Sequence, residues 1–405
     1  MIRFCYVATF FLLLIQNASA FSFKQAMVQI ESHKSVEAML QNAHYLREEA
    51  AVKGSWGDPM FMLAARNFPR ESLKNDQTPM TAVEFAVSQK ISLTPKFGKM
   101  RDSIMSMAEA KDMSAKQQER ILVKGLWVLA IEKRRLLQDI SILKDNISWI
   151  ENMLGVSKRL YASGKTSQQG LLDIEIRKSE LEAELESKNF ELKQLDYKLA
   201  YIFGNSDSSL EIDSVPWGML KDSQALAHDF DFQEKALSSV LESRSLNLSA
   251  QKLGFVPDIT LSVNYMKRAN IDNKGDFVGA SISFPLPFSA DKYSRHSQAT
   301  HERYKAEKDL LDYRNKKKAD LEISKLEIKK FDNDLKILQD KTLKYSRNAR
   351  NITAKSYSYG KASYFELLQA ELKLQQLLMK ETMLKAGLDV KKIELRFIAG
   401  EKIDG

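Results

Sequence analysis

Few side chains in this chain are arranged for chemistry. Five histidines, His33, His44, His228, His296 and His301, lie far apart. Metal-ligand sets come at short, fixed spacings, so each reads as a solvated helix residue and no metal is expected. The only cysteine is Cys5. No nucleophile sits beside a base, no carboxylate pair occupies a strand–loop setting, and no glycine loop is shaped for phosphate. An enzyme is the reading with least behind it, and no cofactor is expected. What does recur is a small polar group. Tyr161-Ala162-Ser163-Gly164-Lys165-Thr166-Ser167 returns 196 residues later as Tyr357-Ser358-Tyr359-Gly360-Lys361-Ala362-Ser363. With no gap, Leu171-Leu172 falls on Leu367-Leu368, Glu175 on Glu371, Leu199 on Leu395 and Gly204 on Gly400. One offset held so long marks an internal duplication. Glu366, six residues after Gly360, stands where a carboxylate favours the positive end of a helix dipole.

The elements around these turns follow one order twice. Residues 24–52 carry apolar side chains at helical spacing (Met27, Ile30, Val36, Met39, Leu40, Ala43), and Gly54 with Gly57-Asp58-Pro59 ends that helix. A hairpin is expected over about 59–93. Its first strand is Met60 to Ala65. Its second alternates Val83, Phe85, Val87, Ile91 and Leu93 against Glu84, Ala86, Ser88, Lys90 and Ser92. Residues 98–161 contain no proline, enough for a helix of roughly 95 Å. Gly164 breaks it, and a second helix runs from 166 to Gly204. After a linker at 205–220, a helix over 221–253 leads to a hairpin at about 257–287. There Ile259, Leu261, Val263 and Tyr265 oppose Thr260, Ser262 and Asn264, and Val278, Ala280, Ile282 and Phe284 oppose Gly279, Ser281 and Ser283. A helix over 290–357, the Gly360 turn and a helix to Ile398 complete the second half.

The expected fold class is mainly α with a β-barrel segment: duplicated halves of helix, β-hairpin, long helix and shorter helix. They occupy 21–204 and 221–405, with turns at about 161–167 and 357–363. Two shorter helices laid end to end match each long one, giving a rod of order 100 Å. The long helix of the second half has a seam of Leu321, Ile328, Phe331, Leu335, Leu338 and Tyr345, with Ile323, Leu326 and Ile337 on a second stripe. Two stripes suit a helix that touches neighbours on both sides.

Composition fits this reading. Charged residues make up 28% of 405, with sixteen glycines and eight prolines, which favours long helices. The formal charge of +8 is spread along helix faces, so a nucleic-acid surface is not expected. Arg3, the apolar run from Val7 to Ile15 and Ala18-Ser19-Ala20 form an export signal over 1–20. Its apolar run is too short to span a bilayer. Four strands cannot satisfy their own edges. Apolar residues alternating with Ser, Thr, Asn and Gly suit a membrane barrel, with Ile259, Leu261, Val263 and Ile282 toward lipid. Closure then needs strands from further copies. A soluble β-patch capping a helical bundle also fits the hairpins. A periplasmic coiled-coil adaptor or scaffold without a pore fits the helices alone.

The pattern Tyr-x-x-Gly-Lys-x-Ser followed by Leu-Leu and Glu, at 161–175 and 357–371, resembles the helical-turn motif of TolC-type outer-membrane efflux proteins. Gly254-Phe255-Val256-Pro257-Asp258 before a strand and Ser283-Phe284-Pro285-Leu286 after one do so too. Asp58-Pro59-Met60 and the stretch from Gln89 to Gly98-Lys99 resemble the heavy-metal efflux branch, although Pro95 stands apart from Gly98-Lys99 where that branch has Pro-Gly-Lys. The resemblance implies a homotrimer, with a twelve-stranded barrel in the outer membrane and a periplasmic α-barrel. It implies a passive exit duct, for small molecules, metal ions or proteins, in a tripartite efflux or type I secretion system with a periplasmic adaptor and an inner-membrane pump. It also places the adaptor-docking turns at Gly164-Lys165 and Gly360-Lys361, and pore-gate residues at Glu366, Gln369 and Tyr357. Gln369 and Ala362 stand where relatives often carry an acid and a base, so the acidic ring is only partly present.

Overall fold

The computed structural model describes residues 20–204, 209–221, 229–286 and 288–404. The export signal apart from Ala20, most of the stretch before the fifth helix, His228 and Pro287 lie outside the described residues. In chain order the elements are β1 (Ala20–Phe21), α1 (Phe23–Glu31), α2 (Lys34–Gly54), β2 (Met60–Arg66), β3 (Ala82–Ile91), α3 (Lys96–Ala162), α4 (Gln168–Phe203), β4 (Ser209–Leu210), α5 (Phe232–Leu253), β5 (Ile259–Arg268), β6 (Phe277–Ser283), α6 (Ala290–Ile337), a π-helical turn (Leu338–Thr342), α7 (Leu343–Ser358) and α8 (Tyr364–Ala399). Two short 3-10 turns, Ile212–Ser214 and Trp217–Leu220, follow β4.

Three expectations change. The first helix is two helices. Ser32 ends α1, and His33 leaves the helical path to set its ring 5.1 Å from that of Tyr201. The helix expected from 221 starts at Phe232, where the Asp231 side chain accepts from the backbone N–H of Glu234 at 3.0 Å and caps it. The long helix of the second half carries the π turn, which adds one residue to a turn. The buried row therefore passes from Leu338 to Leu343 and Ser346, and Tyr345, expected on the seam, is 71% exposed.

The described residues form two compact units, and each draws on both halves of the chain: one within 20–34, 119–230 and 319–404, the other within 35–118 and 231–318. The second holds a four-stranded antiparallel sheet in the order β2-β3-β5-β6. Val87 lies between Phe61 and Val263, and Phe85 between Leu63 and Tyr265. Helix ion pairs support the same unit: Lys317 with Asp231 at 2.5 Å, Arg314 with Glu234 at 2.8 Å, and Arg47 with Asp112. In the first unit, β1 pairs in parallel with β4. Trp127, fully buried, donates to the Ile403 carbonyl at 2.8 Å and packs against Phe23 and Trp217. That ties the chain's last residues to α3.

Among the described residues no helix is long and apolar enough to cross a membrane. The sheet has the opposite polarity from a sheet in a water-soluble protein. Its apolar face is the open one: Phe61, Leu63, Val87, Val263 and Ile282 are all exposed, Val263 by 58% and Ile282 by 67%. Ile259, on the same face, is half-buried. The other face is sheltered along its two central strands, β3 and β5. There Glu84 is buried, pairs with Arg66 and accepts from Asn264 Nδ2 at 2.8 Å. Gly279 continues this row, since a Cβ there would stand 2.5 Å from Asn264 Oδ1. Apolar side chains outward and a hydrogen-bonded polar belt inward are what a lipid-facing sheet requires.

Candidate functional site

The repeated motif forms two helical turns. At the first, α3 ends and the backbone turns at Gly164, with φ at +70°. The N–H of Gly164 donates to the Tyr161 carbonyl at 2.9 Å and that of Lys165 to the Leu160 carbonyl at 2.8 Å. At the second, Gly360 has φ at +72°, and the bonds repeat from Gly360 to Tyr357 and from Lys361 to Ser356. This is the Schellman closure of a helix, which needs a residue without a Cβ penalty in the left-handed region. Ser167 and Ser363 then cap α4 and α8. The two turns adjoin: a Cβ on Gly360 would lie 3.5 Å from Lys165 Cδ.

Past the caps the two turns differ. Glu366 completes a capping box, accepting from the Ser363 N–H at 2.8 Å while its own N–H donates to Ser363 Oγ at 3.3 Å. Glu366 and Gln369 are both exposed. The position of Glu366 in the first turn is held by Gly170, where a Cβ would stand 2.7 Å from Cδ1 of Tyr364. Tyr357 is buried, and its hydroxyl lies 2.9 Å from Ser157 Oγ, joining α7 to α3. Tyr161, its counterpart, is 45% exposed. Around Tyr357 the core consists of Leu143, Ile150 and Leu160 from α3, Ile174 and Leu181 from α4, and Leu367 from α8.

One part of this region is absent from any sequence expectation. Glu371 is fully buried among these helices and accepts from Arg177 Nε at 3.1 Å. Gln375 accepts from Arg177 and donates to Glu184 at 2.8 Å. Arg350 lies over the Trp149 ring, 4.9 Å from its centroid. The signal was a carboxylate on the apolar stripe of α8, between Leu367 and Leu374.

Residues 223–401 match the family of outer membrane efflux proteins. No curated protein matches the chain in sequence. Among solved structures the fold is shared with CusC, at 13% identity and a TM-score of 0.79 over 96% of each chain. It is also shared with the outer membrane protein VceC of Vibrio cholerae, at 14% identity and 0.75 over 94% of this chain and 96% of that one. The open state of the Neisseria gonorrhoeae outer membrane channel MtrE matches at 12% identity and 0.73, over 94% of this chain and 89% of that one. Over residues 223–401 the chain is thus similar to outer membrane efflux proteins, and over nearly its whole length it shares the fold of outer membrane channels.

Proposed function

We propose that three copies of this chain close their sheets into one twelve-stranded barrel and form a passive exit duct. The observation that carries this reading is the sheet itself, with its apolar face exposed and β2 and β6 at its two edges. Open edges are not tolerated in hydrocarbon, so the edges must be closed by other strands. A chain with four strands reaches closure most simply by cyclic repetition of itself. The pore narrows at the two helical turns, where Glu366, Gln369 and Tyr357 belong to the closing end. Gly164-Lys165 and Gly360-Lys361 present six similar turns in three copies, which an adaptor leading to an inner-membrane pump would engage.

The test separates the two faces of the sheet. Arginine at Leu261, Val263 or Ile282 should cost about 2–4 kcal/mol near the bilayer midplane. Arginine at Thr260, Ser262 or Ser281 should be tolerated. Outer-membrane fractions would be run with and without heating, and the heat-sensitive trimer band quantified. Equal losses from both sets, or a parent protein recovered as a soluble periplasmic species, would overturn the barrel.

A further inference from the structure

The buried charges between α4, α7 and α8 are not balanced. Glu371 has one oxygen, Oε2, bonded to Arg177, while Oε1 is buried with no donor. Arg350, facing the same carboxylate from α7, has its Nε buried with no acceptor. From α4 the facing groups are Arg177, which also holds Glu180 at 3.1 Å, and Glu184, held by Gln375. From α7 they are Arg350 and, behind it, Arg347. On α3 the neighbour is the uncharged ring of Trp149. The duplication offers no second copy of this cluster: the counterparts of Arg350 and Arg177 are Leu154 and Lys373, and Glu175, the counterpart of Glu371, is half-exposed.

We propose that Glu371 is a proton-operated latch, holding α8 against α4 and α7 when protonated and loosening that packing when ionised. The latch regulates the closing end proposed above, and its bearing on the pore rests on that reading. The sign follows from burial. Removal from water outweighs the two guanidiniums and pushes the Glu371 carboxyl above the usual carboxylate range. In a loosened tip the carboxyl meets water and returns toward that range. The packed tip therefore binds the proton more tightly, and acid favours it. As pH rises through the raised value, that stabilisation is lost. The unpartnered Oε1 is the atom that would carry the proton.

Amide hydrogen exchange over residues 364–380 of the full protein in detergent reads this directly, once rates are corrected for the pH dependence of the chemical step. Protection in the parent should fall on the order of tenfold between about pH 5 and pH 7.5. Glu371→Gln, which still accepts from Arg177, should stay protected across the range. Arg350→Met removes a favourable charge and should move the midpoint to higher pH. Glu366→Gln should leave the response unchanged. A flat parent profile, a Glu371→Gln profile like the parent's, or an unmoved midpoint in Arg350→Met would each overturn the latch. If the exchange response is present but channel conductance does not follow it, the latch stands and the placement of the gate fails.

Discussion

The two helical turns share a backbone and differ in chemistry. Both end a long helix in a left-handed glycine, and both restart with a serine cap. Yet the first turns its tyrosine out and carries Gly170 where the second carries Glu366. The tyrosines diverge because the helices before them bury different rows. α3 buries Leu143, Ile150 and Ser157, seven residues apart, so Leu160 faces inward and Tyr161 does not. α7, entered through the π turn, buries Ser346 and Tyr357, eleven apart. A row at 3.5 residues per turn drifts one way round a helix and a row at 3.67 drifts the other way. The two turns keep the same backbone, while only the second follows a helix with a π turn, and there the tyrosine is the buried residue. Glycine at 170 follows from the same asymmetry, because the Tyr364 ring of the second turn rests on it.

Breaking that asymmetry at its tightest point should have the largest effect. Gly170→Val forces the Tyr364 ring away, at about 1–3 kcal/mol in urea-induced unfolding of the helical tip. Adding Tyr364→Ala to the same chain should recover most of the loss. Gly155, whose Cβ would meet open space, should by contrast gain up to about 1 kcal/mol on change to Ala. Equal losses at Gly155 and Gly170 would mean that Tyr364 is not what keeps 170 a glycine.

The tyrosines should separate by less. Tyr357→Phe removes the bond to Ser157, whose hydroxyl is fully buried, and should cost about 1–2 kcal/mol. Tyr161→Phe, at an exposed site, should change the same unfolding curve by no more than about 0.5 kcal/mol. If the two changes cost the same, the inward turn of Tyr357 carries no stability.

What the sequence made legible was local. Alternation in β3, β5 and β6, the glycine stops at 164, 204 and 360, and the duplication all act over a few residues or one constant offset. What it hid depends on distance or on a single register step. β1 and β4 are two-residue strands, too short to alternate, and pair across nearly the whole first repeat. The π turn leaves no mark of its own, so the heptad ran on to Tyr345. The Arg177–Glu371–Arg350 cluster joins three helices, and only the misplaced carboxylate on α8 hinted at it. The start of α5 has a sequence mark of its own: Asp231 followed three residues later by Glu234 is a helix-start signature, as are Ser22 with Gln25 and Ser363 with Glu366.

The smallest structural effect should come from the residue with the largest expected consequence for conduction. Glu366 is engaged in a capping box, and that alone explains a carboxylate at this place. The gate assignment needs an experiment that keeps the cap and removes the charge. Glu366→Gln does so, because glutamine serves the third position of a capping box as well as glutamate. Its unfolding curve should shift by only a few tenths of a kcal/mol. Ser363→Ala is the converse, losing about 1 kcal/mol of cap while the charge remains. In planar bilayers the parent should prefer cations, since carboxylates around a constriction attract them. Glu366→Gln should lose much of that preference and Ser363→Ala should keep it. If the proposed trimer carries Glu366 as a single ring, with Gln369 uncharged, the preference should also weaken steeply as salt rises and the field is screened. Should Ser363→Ala change selectivity as much as Glu366→Gln does, the cap shapes the pore and the carboxylate does not line it.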